Sequence, residues 1–421
     1  MNARTDTPTS SSAQPSKLLS VAEALARVLA VIHELEPQTV PIEQARGRVA
    51  AADILARLSH PPVPVSAMDG YALRSEDVGQ FPLRLRKIGE SRAGAHFPGT
   101  MQPGACVRIF TGAAVPDGAD VIALQEDAEE QDGEVLIREA APKGRFIRRA
   151  GLDFSEGQTL IPKGKVLSAR DLGLLASSGH GEVPVFRRPR VAILSTGDEL
   201  VPPGAVPGPD QIVCSNGLAL AATVASWGAE AIDLGIAVDE VGAIAAAADR
   251  ARGADILVTS GGASAGDHDL VRAGIAERGF VPDFWKIAMR PGKPLMFGMI
   301  GPLPVLGVPG NPVSALVCAV LFLRPVLKKM LGSASLEPTF DKARLGSAMG
   351  ANDEREEYAR ARLERAADGG LIARPFSAQD SAMQRALAEA DALIRRKPFA
   401  PAAPEGAGVE IIRLDTAEGG F

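Results

Sequence analysis

Hydrophobic positions change their period several times along the chain. Val21, Leu25, Val28, Leu29 and Ile32 recur at helical spacing, and Ser20 followed by Glu23 has the spacing of a capping box, so an amphipathic helix opens the fold. From Phe81 to Ala140 the runs shorten, as in Cys106-Val-Arg-Ile-Phe and Val121-Ile-Ala-Leu, and Pro-Gly, Asp-Gly and Gly-Ala turns divide them. That texture predicts a β-rich insert over about 60–150. Beyond Arg187, strand-like runs (Val191 to Leu194, Ala231 to Ile236, Ile256 to Val258) alternate with helix-like ones (Leu218 to Ser226, Val241 to Arg252). This alternation predicts a doubly wound, mostly parallel α/β domain. Past Leu336, the stretches Glu357 to Leu363, Leu371 to Pro375 and Val409 to Leu414 read as strands of a small, barrel-like β domain.

The expected organisation is therefore a disordered lead over 1–17, a helical and β region over 18–186, an α/β domain over 187–332 and a C-terminal β domain over 336–416. A chain of 421 residues supports several cores, because single domains run to roughly 100–200 residues. No repeat of solenoid or propeller period is present. The lead, Met1 to Lys17, is rich in Ser, Thr and Pro with no apolar core, unlike a signal peptide. The most apolar stretch, Val313 to Leu323, is well short of the ~20 residues that cross a bilayer and reads as a buried helix.

Composition narrows the function classes. A formal net charge of -6 gives no global basic footprint, which disfavours nucleic acid and anionic membranes as partners. The three cysteines, Cys106, Cys214 and Cys318, are far apart and form no C-x-x-C pair, which argues against a disulfide framework or a cysteine zinc site and fits a reducing cytoplasm.

Candidate chemistry sits in loops at the ends of the α/β strands, where such sheets bind ligands. One is Ser195-Thr196-Gly197-Asp198-Glu199-Leu200, with two hydroxyls, a Gly and paired carboxylates; it also reads as a polar turn. Another runs from Gly261 and Gly262 through Ser264 to Asp267, His268 and Asp269, where small residues let backbone N–H groups cradle an anion. It matches neither phosphate-loop nor dinucleotide motifs, and a flexible connector is the plainer reading. Carboxylate oxygens suit magnesium better than a lone His suits zinc, so Asp267 or Asp269 ranks before His268 as a metal ligand. Lys286, Arg290 and Lys293 supply cations, and Pro309-Gly-Asn-Pro312 starts a helix; solvated surface charge is the alternative. If Asp198, Glu199, Asp267 and Asp269 converge, raised pKa values or a cation must relieve their repulsion. Upstream, Asp69 in Ser66-Ala-Met-Asp-Gly-Tyr71 reads most simply as a turn residue capping its own backbone, and Thr111-Gly112 is equally ambiguous.

Taken in order, Ser-Ala-Met-Asp-Gly-Tyr-Ala at 66–72, Phe-Thr-Gly-Ala at 110–113, Ser-Thr-Gly-Asp-Glu-Leu at 195–200, Arg-Pro-Gly-Lys-Pro at 290–294 and Pro-Gly-Asn-Pro-Val-Ser at 309–314 resemble the molybdopterin molybdenumtransferase family, that of MoeA and the gephyrin E domain. The resemblance runs from about Ser20 to Leu414 and implies an α/β domain of the molybdopterin-binding type. It implies a magnesium-dependent reaction in which adenylylated molybdopterin and molybdate give molybdenum cofactor and AMP. Functional positions would be Asp69, Thr111, Glu199, Asp239, Asp269, Pro309 and Pro312. Glu199, Asp267 and Asp269 would serve magnesium and the phosphate side, with Asp69 and Thr111 at the molybdate end. Lys286, Arg290 and Lys293 would hold anions, and Ser195, Thr196, Gly197, Gly261, Gly262 and Ser264 would line the substrate. The chain departs from the family pattern at Val65, where a polar residue is usual, at Leu152, where Glu is usual, and at Ala263 and Ala265.

The resemblance also implies a cytoplasmic homodimer in which Asp69 faces the partner's α/β domain, so that the site is shared. Molybdopterin adenylyltransferase and molybdoenzyme maturation proteins are the further partners it suggests. Two other readings stay open: molybdopterin adenylylation itself, and a cofactor-binding scaffold without catalysis.

Overall fold

The computed structural model describes residues 18–261 and 270–414. The expected lead at 1–17, and Gly262, Ser264, Asp267, His268 and Asp269 with Ala263 and Ala265, lie outside the described residues. The chain divides into two units, one of residues 1–36 with 186–421 and one of residues 37–185.

In the first unit the opening helix is Val21–Ala30. Ser20 Oγ accepts from the Glu23 N–H, and Glu23 Oε2 accepts from the Ser20 N–H, closing the expected capping box. Its apolar face, Val21, Ala24, Leu25 and Val28, is buried in the unit's main core. The α/β sheet has six strands in the order Glu230–Ala237, Arg190–Thr196, Ile256–Ser260, Leu303–Val308, Met296–Ile300 and Phe280–Phe284. The first four run parallel; Met296–Ile300 is antiparallel to both of its neighbours.

Both faces of this sheet are covered, which explains why Val191, Ala192, Ile193 and Leu194 form an unbroken apolar run with no exposed surface. Leu220 and Val224 of the Asn216–Ser226 helix share a core with Val191 and Ile193. Ile244 of the Val241–Asp249 helix and Val271 of the Leu270–Ala276 helix share the opposite one with Ala192 and Leu194. The apolar stretch after Pro312 is buried throughout: a helix over Pro312–Cys318, a wider π-type turn over Ala319–Leu323, and a helix over Arg324–Met330.

The C-terminal strands close a barrel. Glu356–Arg365 pairs with both Leu371–Pro375 and Ala392–Arg396, while Asp341–Leu345 and Gly408–Arg413 complete the ring. Ala392–Arg396 carries no alternating signal because Arg396 is itself buried, its guanidinium donating to the carbonyls of Gly350 and Pro401.

The second unit holds a six-stranded sheet in the order Val121–Leu124, Gly70–Leu73, Ala105–Ile109, Leu83–Ser91, Glu134–Ile137 and Ala128–Gln131. A separate core, including Val40, Ile54, Leu167 and Leu175, packs beside the Ala169–Ser177 helix. That helix is capped by Ser168 and Asp171 reciprocally. Burial alone would raise the Asp171 pKa, but Lys165 and Ser168 outweigh it and hold the carboxyl at about 2.

Because the folded pKa is depressed, the stabilisation is present above the ordinary carboxylate range and is lost as pH falls through about 2. Asp171→Ala is expected to destabilise this unit by ~1–2 kcal/mol at neutral pH. Chemical denaturation from pH 6 to pH 2 should show the difference between variant and wild type shrinking as the medium becomes acid.

Candidate active site in the α/β unit

Ser195, Ser260 and Val308 stand side by side in register at the carboxyl ends of three parallel strands. The chain leaves Arg190–Thr196 toward Glu230–Ala237 and returns past it to Ile256–Ser260, so the two directions diverge between the first strand and the third. A crevice is expected at such a switch point. There the structure has a cavity of about 380 Å³, walled by Ser195, Thr196, Glu199, Ser260, Gly261 and Pro309 to Pro312, with Cys214, Asn216 and Pro294 completing the rim.

Its floor depends on one glycine and one amide. Gly261 has φ of 107°, and a Cβ there would stand 2.3 Å from the Thr196 carbonyl oxygen. Only glycine lets the two strand ends meet so closely. The buried Asn216 side chain donates from Nδ2 to Ser260 Oγ at 2.9 Å and to the Gly310 carbonyl at 2.7 Å, joining the second and third loops from below. Thr196 Oγ1 is buried with no partner among the described residues.

Three carboxylates converge beside this floor. Asp198 Oδ1 accepts from the Asp239 N–H at 2.9 Å. Burial raises the Asp239 pKa, and repulsion from Asp198 and Glu199 raises it further. The Glu199 carboxylate folds back over Gly197, whose φ is 149° and whose missing Cβ leaves the room. Sequence spacing brought Asp198 and Glu199 together; Asp239 joins them because its loop follows the neighbouring strand. Among the described residues no three acidic, His or Cys side chains form a metal cage.

The expected cations separate. Lys286 is half-buried and Lys293 exposed, and neither forms an ion pair among the described residues. Arg290 is committed elsewhere: Nη2 lies 2.9 Å from Glu357 Oε1 and donates to Asn352 Oδ1, while Nη1 lies 3.4 Å from Asp353 Oδ2. The cause is local pairing, since Met289–Arg290 lies parallel to Glu356 and Glu357 at the edge of the barrel. Arg290 thus fastens the α/β domain to the barrel instead of presenting a free charge.

In the other unit, Asp69 Oδ1 accepts from both the N–H and the hydroxyl of Thr111, each at 2.7 Å. These bonds, the N–H first and the hydroxyl second, lower the Asp69 pKa. Asp69 therefore does not cap its own turn. Ser66 does that, its hydroxyl donating to the Met68 carbonyl and accepting from the Met68 N–H.

Comparison with known proteins assigns this architecture. Residues 19–179 match the family described as the MoeA N-terminal region, domains I and II; residues 192–329 match the probable molybdopterin binding domain; residues 342–414 match the MoeA C-terminal region, domain IV. A molybdopterin molybdenumtransferase of Nostoc sp. is 40% identical over 77% of this chain and 76% of its own. The chain belongs to the molybdopterin molybdenumtransferase family. A second such transferase, from Mycobacterium tuberculosis, is 40% identical over 74% of this chain and 80% of its own. The crystal structure of a molybdopterin biosynthesis MoeA protein from Pyrococcus horikosii superposes with a TM-score of 0.85 at 33% identity, covering 95% of this chain and all of that one.

For this member of the molybdenumtransferase family the structure adds residues that no motif announced. Asn216 sits in a stretch, Cys-Ser-Asn-Gly, that reads as an ordinary turn. The segment Gln379 to Gln384 reaches from the barrel to the cavity rim, where Ser381 Oγ accepts from Asn311 Nδ2 and Gln384 Nε2 donates to Ser215 Oγ. Behind it, Arg360 is 1% exposed, with Nη1 on the Met383 carbonyl and Nη2 without a partner among the described residues. Such contacts are set by tertiary structure, not by sequence pattern. Among the described residues no helix is long and apolar enough to cross a membrane.

Proposed function

We propose that the chain inserts molybdenum from molybdate into adenylylated molybdopterin and releases AMP with magnesium. The observation that carries this is the cavity at the switch point, where a glycine-dependent floor adjoins the converging carboxylates Asp198, Glu199 and Asp239. The floor accepts a flat, polar ligand close to backbone, and the hydroxyls of Ser195 and Ser260 orient it. Magnesium on Glu199, with Asp267 and Asp269, would neutralise a phosphoanhydride and so favour departure of the phosphate. Lys286 and Lys293, which form no ion pair among the described residues, would hold an oxyanion as charge develops. Asp69, held ionised by Thr111, works at the molybdate end in a site shared between the subunits of a homodimer. No side chain need act as nucleophile.

The substrates distinguish this from pterin adenylylation. Purified protein given adenylylated molybdopterin, molybdate and magnesium is expected to release AMP, and to leave ATP untouched when given unmodified molybdopterin. ATP consumption with the unmodified pterin would overturn the reading in favour of the adenylyltransferase. Binding of the adenylylated pterin without any AMP release would leave a scaffold.

A further inference from the structure

Arg108 lies in the unit of residues 37–185, on the strand Ala105–Ile109 that leads into Thr111. Its guanidinium reaches to the turn carrying Asp69, where Nη1 donates to the Gly70 carbonyl at 3.1 Å and Nη2 donates to Gln125 Oε1 at 2.7 Å. Gln125 in turn donates its backbone N–H to the Asp69 carbonyl at 3.1 Å. Three segments far apart in sequence meet at one cation. Two rings flank it. Tyr71 faces Arg108 across the antiparallel pair, with its ring centroid 5.0 Å from the guanidinium carbon. Phe110, two positions on and so on the same side of the chain, has its centroid 4.8 Å away.

The charge is not spent on a carboxylate. Arg108 is half-buried and forms no ion pair among the described residues. Its strand neighbour Glu90 pairs with Arg92 and Lys87 instead. The charge favours the ionised form of Asp69, whose pKa is lowered first by the Thr111 N–H, then by the Thr111 hydroxyl, and further by Arg108 against the opposing effect of burial. A lysine would not reproduce this arrangement. An ammonium is a single point charge, whereas the planar guanidinium sends two Nη groups to two acceptors while its faces meet aromatic rings.

We infer that Arg108 is a positioning residue, which holds the Asp69 carboxylate against Thr111 by fastening the Asp69 turn to the strand that carries Thr111. The inference rests on the role proposed above for Asp69 and Thr111 and adds the group that sets their geometry. Strand pairing of Gly70 with Ile109 joins the two strands without help from Arg108, so losing its side chain frees the turn and leaves the sheet intact. A carboxylate displaced by about 1 Å disturbs the reacting geometry more than it disturbs substrate binding.

The test compares the full chain with Arg108→Met, which keeps an apolar stem between the rings, and Arg108→Lys, which keeps the charge. In Arg108→Met the Thr111 and Gln125 amides are expected to exchange hydrogen roughly tenfold faster or more. Those of Ala72 and Ile122, in the paired strands, should be unchanged. In the AMP-release assay Arg108→Met is expected to lose kcat by roughly 10², with KM and melting temperature near wild type, and Arg108→Lys to recover part of the loss. Unchanged exchange at Thr111 and Gln125 would overturn the clamp, and faster exchange with wild-type kcat would overturn its part in the reaction. Equal losses of kcat and of melting temperature in both variants would also overturn it, since the residue would then only support the fold. A wild-type chain that releases no AMP would count against the proposed reaction, while the exchange rates would still decide for or against the clamp.

Discussion

Gly261→Ala is expected to lower the melting temperature of the α/β unit and to abolish turnover. The added Cβ would stand 2.3 Å from the Thr196 carbonyl oxygen and 2.8 Å from Thr196 Oγ1, at a φ of 107° that a side chain rarely adopts. The obstacle is backbone at the end of a strand buried from Val191 to Thr196, so it cannot rotate aside as a flexible side chain would. Strain of this kind costs about 1–3 kcal/mol before the clash is counted. Relief requires the loops after Ser260 and Thr196 to part, which would pull Ser260 from Asn216 Nδ2 and open the cavity floor. Differential scanning calorimetry and an AMP-release assay check both halves. Wild-type melting and turnover in the variant would show that the close approach is not required.

Glu199→Ala is expected to act in the opposite way on stability. Glu199 is exposed and holds no ion pair among the described residues, so the fold survives its loss. Removing one of three mutually repelling carboxylates should lower the Asp239 pKa toward its ordinary range and leave stability equal or slightly higher. Turnover is expected to fall by roughly 10²–10³, the usual effect of deleting one charge-stabilising group from a reacting site. Retained affinity for the pterin substrate would place the loss in the reaction step. Unchanged AMP release would remove Glu199 from the chemistry altogether.

What the sequence made legible follows from the range over which each signal acts. The opening helix is visible because its cap and its apolar face are set within a few residues, Ser20 with Glu23 and Val21 with Leu25. The core strands are visible because burial on both faces leaves no polar position in Val191 to Leu194. Ala392–Arg396 is hidden because a buried Arg396, whose Nη2 donates to carbonyls, imitates a solvated charge. At the site, the Ser195 to Leu200 loop and Pro309 to Pro312 were readable from position at strand ends, and they do line one cavity. The bond from Thr111 to Asp69 was not readable from the residues themselves, since the two lie 42 positions apart. Nor was that of Arg290, whose charge is compensated by a strand of the barrel that sequence spacing does not bring near it. Motif spacing thus locates the candidate residues, and only packing decides which of their charges stay free.

The central claim concerns what leaves the protein and what stays on the pterin. The most direct measurement is the stoichiometry of AMP released and molybdenum acquired by the pterin in a single turnover of purified protein with adenylylated molybdopterin, molybdate and magnesium. The account predicts one AMP for each molybdenum bound. AMP release that proceeds at the same rate without molybdate, leaving metal-free pterin, would contradict it.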